Sequence, residues 1–119
     1  MPFDWKYEHF DQEAVFDAPR EILAKVASDY MTEFLQGWRF ENTTDGFIMK
    51  GESAWHGAIA TFHIEPSPVG TKVTVNLLVE RAGAGGFMLI DIGGYYHYQI
   101  RKWLRGIAQR LENIDAASA

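Results

Sequence analysis

The sequence predicts an α+β domain in which a curved antiparallel sheet of about five or six strands wraps a long C-terminal helix, with a short helix pair after the first strand. Three observations carry this expectation. Between Trp38 and Glu80, apolar residues recur with a period of two, cut by short turns. From about Tyr95 to Asn113 they recur at three- and four-residue spacing. The same helical spacing occurs once earlier, between Pro19 and Gly37.

Lys6 to Phe16 reads as the first strand, with weak alternation. Asp17-Ala18-Pro19-Arg20-Glu21 then reads as a helix start. Asp17 is placed to accept from free N–H groups, Pro19 is tolerated in the first turn, and Glu21 suits the positive end of the dipole. Ile22, Leu23, Val26, Tyr30 and Phe34 form one apolar stripe, which Gly37 ends. Ser28-Asp29 is a second start signal inside the stretch, hence the expected pair of short helices.

After Gly37 the period changes. Trp38, Phe40 and Asn42 alternate with Arg39, Glu41 and Thr43. Thr44-Asp45-Gly46 is expected to turn, with Gly46 supplying positive φ, and the chain returns from Phe47 to Ser53. In the next strand Ala58, Ala60, Phe62 and Ile64 share one face, while Ile59, Thr61, His63 and Glu65 share the other. Pro66-Ser67-Pro68-Val69-Gly70 is the next expected turn. Val73, Val75, Leu77 and Val79 then mark a buried face, against Lys72, Thr74, Asn76, Leu78 and Glu80. Hairpin links make these strands antiparallel. Ala82-Gly83-Ala84-Gly85-Gly86 breaks the pattern. In the last helix Ile100, Trp103, Leu104, Ile107, Leu111 and Ile114 form the apolar face, and Arg101, Arg105, Gln109 and Glu112 the wet one. A sheet with one apolar face needs a cover, and this helix supplies it.

With 119 residues the chain has room for a single domain and one core. Hydrophobic residues make up 47% and charged residues 23%, an ordinary globular balance. A formal net charge of −5 disfavours nucleic acid and anionic lipid as partners, because both call for a positive field. The lack of cysteine excludes disulfides, thiolate metal sites and a cysteine nucleophile. No basic segment leads into an apolar run at Met1-Pro2-Phe3-Asp4-Trp5, and the longest apolar stretch, Phe87 to Ile90, is too short to span a bilayer. A cytoplasmic protein without membrane insertion is the expectation.

The candidate chemistry is sparse. His9, His56, His63 and His97 show no metal-ligand spacing, so neither a metal nor another cofactor is expected. His63 shares its face with Thr61 and Glu65 and should be exposed. His97 lies three residues before Ile100 and leans toward the apolar stripe, where it could orient a ligand or act as a general base. The competing reading, a core histidine bonded to a backbone carbonyl, is favoured because no partner acid is identifiable. Asp91, inside the apolar run from Phe87 to Ile92, could carry a raised pKa, but a helix N-cap before Gly93-Gly94 explains it better. Gly83 to Gly86 and Gly93-Gly94 lack the lysine and the strand–turn–helix context of a phosphate loop. A connector that turns sharply is favoured over a gate. Tyr95, Tyr96 and Tyr98 could line a pocket or form a dimer patch, with plain packing the simplest reading. Arg101, Lys102, Arg105 and Arg110 read as a solvated basic face.

The segment Phe16-Asp17-Ala18-Pro19-Arg20-Glu21-Ile22 at the end of the first strand, and the long last helix with Trp103 and Leu104, resemble the START-like or helix-grip superfamily. This group, also labelled SRPBCC, holds lipid-transfer domains and polyketide cyclases. The likeness covers nearly the whole chain, although such domains are usually longer and have more strands, which argues against a large cavity. The resemblance implies an apolar cavity between sheet and helix for a small hydrophobic or aromatic molecule.

Combined with the converging apolar faces, it makes Phe62, Val75, Leu77, Tyr96, His97, Ile100 and Trp103 the expected ligand-binding residues, around a cavity of at least about 300 Å³. The second reading is a homodimeric interaction module with a filled core. The third is a cyclase- or hydrolase-type enzyme using His97, Asp91 or His56. It ranks last because no nucleophile–base–acid constellation is visible.

Overall fold

A computed structural model describes residues 7–52, 57–80 and 95–118. The chain runs β1 (Tyr7–Phe16), α1 (Arg20–Phe34), β2 (Arg39–Thr43), β3 (Gly46–Glu52), β4 (Gly57–Ser67), β5 (Gly70–Glu80) and α2 (Tyr95–Ser118). The five strands form one antiparallel sheet in the order β1-β5-β4-β3-β2. Four of them follow each other as hairpins, and β1 joins the free side of β5.

Alternation decides which face is covered. Val73, Val75, Leu77 and Val79 on β5 and Ala60, Phe62 and Ile64 on β4 are all buried. Phe47 and Met49 on β3, with Phe10 and Phe16 on β1, continue the same layer. The register sets these residues side by side, with Phe62 opposite Val75 and Phe47 opposite Phe62. On the other face His63 and Glu65 are exposed, as their parity requires. There Asn76 donates a hydrogen bond to Asp11 across β5 and β1.

Both helices cover the apolar face and touch each other. From α2 come Ile100, Trp103, Leu104, Ile107 and Leu111, all buried. Arg101, Arg105, Gln109 and Glu112 face out. Ile114, expected on the apolar face, is 42% exposed because it lies beyond the part of the helix that the core covers.

The start of α1 differs from expectation. Pro19, not Asp17, is the N-cap, in extended conformation, and no side chain caps the helix. Asp17 is exposed. The Pro19 carbonyl takes the Leu23 N–H at 3.0 Å, so the proline, which has no N–H to satisfy, stands just outside the first turn. The helix is also one element of 15 residues, not a pair. Ser28-Asp29 does not interrupt it because the hydroxyls turn inward along the helix. Ser28 Oγ donates to the Lys25 carbonyl at 3.1 Å, Thr32 Oγ1 to the Ser28 carbonyl at 2.9 Å, and Lys25 pairs with Asp29 one turn on at 2.9 Å. The buried stripe is Leu23, Val26, Ala27 and Met31. It is therefore rotated from the expected one, leaving Ile22 at 47% and Phe34 at 41% exposure and Tyr30 half-buried.

Two turns also differ. Thr44-Asp45 is the whole β2–β3 turn, since Thr43 pairs with Gly46. Positive φ among the described residues belongs to Gly37 and Gly70 alone, so Gly46 does not supply it. What excludes a side chain at Gly46 is proximity, because a Cβ there would overlap the Phe62 carbonyl. The β4 strand continues through Pro66 to Ser67, which pairs with Gly70. The turn shrinks to Pro68-Val69 and closes on Gly70 at φ 146°. Proline is tolerated at 66 because β3 pairs with β4 only as far as His63, leaving that stretch with one neighbour. Arg20 ties these parts together, donating from Nε to the Ile64 carbonyl at 2.8 Å and from a terminal nitrogen to the Thr44 carbonyl at 3.3 Å.

Candidate functional site

A line of aromatic rings crosses the covered face. Phe40 contacts Phe47 with centroids 5.3 Å apart, Phe47 stacks on Phe62 at 4.5 Å, and Phe62 meets Trp103 of α2 at 6.4 Å. Offset and tilted contacts at these distances are favourable for aromatic quadrupoles. The column fills the middle of the core, where Phe62, Val75 and Ile100 have no exposure at all. These three residues are part of the packing beneath the site.

A cleft opens beyond the column, toward the start of α2. Leu35 and Trp38 border it from the connection after α1, and Ala58, Leu77 and Val79 from the sheet. Tyr96, Gln99 and Trp103 complete it from α2. The register explains the floor, since Ala58 pairs with Val79 and Ala60 with Leu77, so small side chains on β4 leave room above β5. The spacing of 96, 99 and 103 explains the wall, since it keeps one face of a helix. The cleft volume is about 210 Å³, smaller than the roughly 300 Å³ at which typical small-molecule sites begin. None of the eight described residues that line it is charged.

Of the residues expected from sequence, Leu77, Tyr96 and Trp103 stand on this cleft. His97 is half-buried one position away, with its ring edge-on to Phe10 at 5.3 Å. Phe10 also contacts Tyr96 at 4.8 Å, so β1 braces the first turn of α2 from the side. Leu35, Trp38, Ala58, Val79 and Gln99 were not singled out as ligand-binding. Their role depends on which strand ends and helix ends meet. The register of β4 on β5 is the sequence signal that could have found Ala58 and Val79.

Trp103 is 4% exposed, and its indole Nε1 is buried with no hydrogen-bond partner among the described residues. This is unusual, because buried donors are normally satisfied.

Two other depressions are larger in volume. One, of about 330 Å³, lies on the outer face between Asp45, His63, Glu65 and Thr74. The other, of about 530 Å³, lies over Asp17 to Glu21 and the β4–β5 turn. Among the described residues no three His, Asp or Glu side chains are placed to hold a metal ion. His56, Asp91 and the glycine-rich runs at 83–86 and 93–94 lie outside the described residues. No helix among the described residues is long and apolar enough to cross a membrane.

No family model matches the chain, and comparison with curated proteins finds no match. The solved structure of an uncharacterized protein from Rhizobium leguminosarum is similar to it, with a TM-score of 0.56 at 15% identity over 90% of this chain and 95% of that one. At such identity the likeness is one of fold alone, and the fold in common is an α+β arrangement of an antiparallel sheet with a C-terminal helix.

Proposed function

We propose that this chain is a START-like, helix-grip domain of the cytoplasm that binds a small hydrophobic molecule in the cleft between the sheet and the start of α2. The observation that carries this reading is that the described residues lining that cleft, Leu35, Trp38, Ala58, Leu77, Val79, Tyr96, Gln99 and Trp103, are all uncharged. Apolar walls reward an apolar guest by roughly 25 cal/mol for each Å² removed from water. They give a charged guest no counter-charge for its lost hydration. The volume of about 210 Å³ restricts the guest to a single ring or a short chain, well short of a lipid. In this reading Phe62, Val75 and Ile100 hold the cleft floor, and His97 positions the first turn of α2.

Native mass spectrometry of protein purified from its own host tests the proposal. A reproducible extra mass, lost from Ala58→Phe, supports it, since a large ring at 58 fills the cleft. A bare mass in the parent protein overturns it. The homodimeric module is the second reading, favoured by Phe34 at 41% and Tyr98 at 47% exposure. A bare dimer in the same experiment would move it to first place.

A further inference from the structure

Tyr98, Arg101, Lys102 and Arg105 follow the three- and four-residue spacing of one helix face, and all four are exposed. Phe34, at the end of α1, adjoins them. Its ring is 41% exposed and that of Tyr98 47%. Each ring holds a cation above it, with Lys102 Nζ 5.5 Å from the Phe34 centroid and the Arg105 guanidinium 5.9 Å from that of Tyr98. The three cations are out of keeping with their setting. The chain has 16 acidic residues against 11 Lys and Arg. Lys25, Lys50, Lys72 and Arg110 each lie within 3.3 Å of a carboxylate. Arg101, Lys102 and Arg105 pair with none among the described residues. They also sit in the first half of α2, far from the C-terminal turn where a helix dipole favours cations. Arg101 and Arg105, one turn apart, repel each other slightly. The arrangement therefore does nothing for the fold.

We infer that this face docks an acidic segment of another protein, whose carboxylates take Arg101, Lys102 and Arg105 while an apolar side chain lies against Phe34 and Tyr98. The inference is independent of the cleft and goes beyond the ligand-binding reading. Guanidinium groups take carboxylates through paired hydrogen bonds, and Arg and Tyr are the residue types that concentrate binding energy at interfaces. Rings that already hold two of the cations in place lower the cost of ordering them. A second copy meeting the face through a two-fold axis would set these cations against themselves. Nucleic acid and anionic membrane call for a positive field over a wider surface, which a chain of net charge −5 does not provide.

The probe is a short peptide alternating Asp and Glu around one central Phe, and its control carries Asn and Gln at the acidic positions. Binding is followed in the backbone amide signals of the full chain. The acidic peptide is expected to move the signals of Phe34 and of residues 98–105, to bind more weakly as salt is added, and to lose its affinity in the amide control. Arg101→Gln should weaken binding about threefold, and the combined Arg101→Gln, Lys102→Gln and Arg105→Gln variant on the order of tenfold or more. All three positions are exposed and glutamine is a good helix former, so the variants keep the fold. Lys50→Gln removes a charge from the opposite side of the sheet and should bind like the parent. An equal loss in Lys50→Gln and Arg101→Gln would reveal attraction without a site and overturns the inference. So does a parent protein that leaves the peptide unbound, or binds it away from this face. Tighter binding of oligo-thymidylate or phosphatidylserine vesicles at the same face overturns the choice of partner, as does movement of these signals with protein concentration alone.

Discussion

The ring of Tyr30 occupies the space that a Cβ at Gly106 would need, so α1 and α2 meet ring against bare backbone. The tyrosine is held there from two sides. It stacks on Phe34 at 5.5 Å, and Arg110 lies over its face at 5.4 Å while pairing with Glu33 at 2.6 Å. Two effects of Gly106→Ala therefore oppose each other. Alanine gains about 1 kcal/mol of helix propensity over glycine, whereas forcing the helices apart costs about 1–3 kcal/mol. The clash should win, and Gly106→Ala should lower the urea midpoint. In a Tyr30→Ala background the ring is gone and the same substitution should raise it. A cycle of the four proteins measures this, and equal effects in both backgrounds would show that the contact does not couple the helices.

The same tyrosine gives the fold a titration at high pH. Burial raises the Tyr30 phenol above its ordinary value, and the positive charge of Arg110 opposes this in part. A raised folded pKa means that the stabilising contribution is complete below the unfolded value, about 10 for tyrosine, and is lost as pH climbs through the folded one. The titration of Tyr30 should thus leave stability unchanged through neutral pH and lower it above about pH 10. Urea unfolding on either side of that pH, compared with Tyr30→Phe, isolates the effect from other groups. Arg110→Gln removes the opposing charge and should make the alkaline fall larger. A fall of the same size in Tyr30→Phe would mean that another group causes it.

The sheet and α2 were legible because each buries one face against one neighbour, and a single period records this. Val73 to Val79 and Ile100 to Leu111 are such cases. The phase of α1 was harder. Its neighbours are both the sheet and α2, and Tyr30 and Phe34 are apolar enough to suggest burial. Instead they lie at the margin, because Gly106 admits a ring there rather than a buried side chain. The expected turn boundaries differ from the observed ones by one or two residues for a similar reason. Gly46 and Pro66 are strong local turn signals, yet pairing partners outside the turn decide where a strand ends. At the site, Tyr96 and Trp103 could be named from helical spacing. Leu35, Trp38 and Gln99 could not, because the end of α1 and the start of α2 come together only in three dimensions.

Trp38 lies across Gly51, again so close that a Cβ there would enter its ring. Arg39 pairs with Lys50, so Trp38 follows the β2–β3 register past its last paired residue and covers the bare backbone of the neighbouring strand. An aromatic over a cross-strand glycine restores the apolar cover that glycine lacks. Here it also sets the position of a cleft wall, since Trp38 borders the cleft. Gly51→Ala should therefore have two separable consequences. Overpacking should lower stability by about 1–3 kcal/mol, read as a reduced urea midpoint. The displaced indole should shift its own N–H signal and weaken the binding of an aromatic probe. Phe62→Leu, a change in the packed column beneath the cleft, should lower stability without displacing Trp38. If Gly51→Ala weakens probe binding no more than an equally destabilising Phe62→Leu does, Trp38 serves the fold and has no part in shaping the cleft.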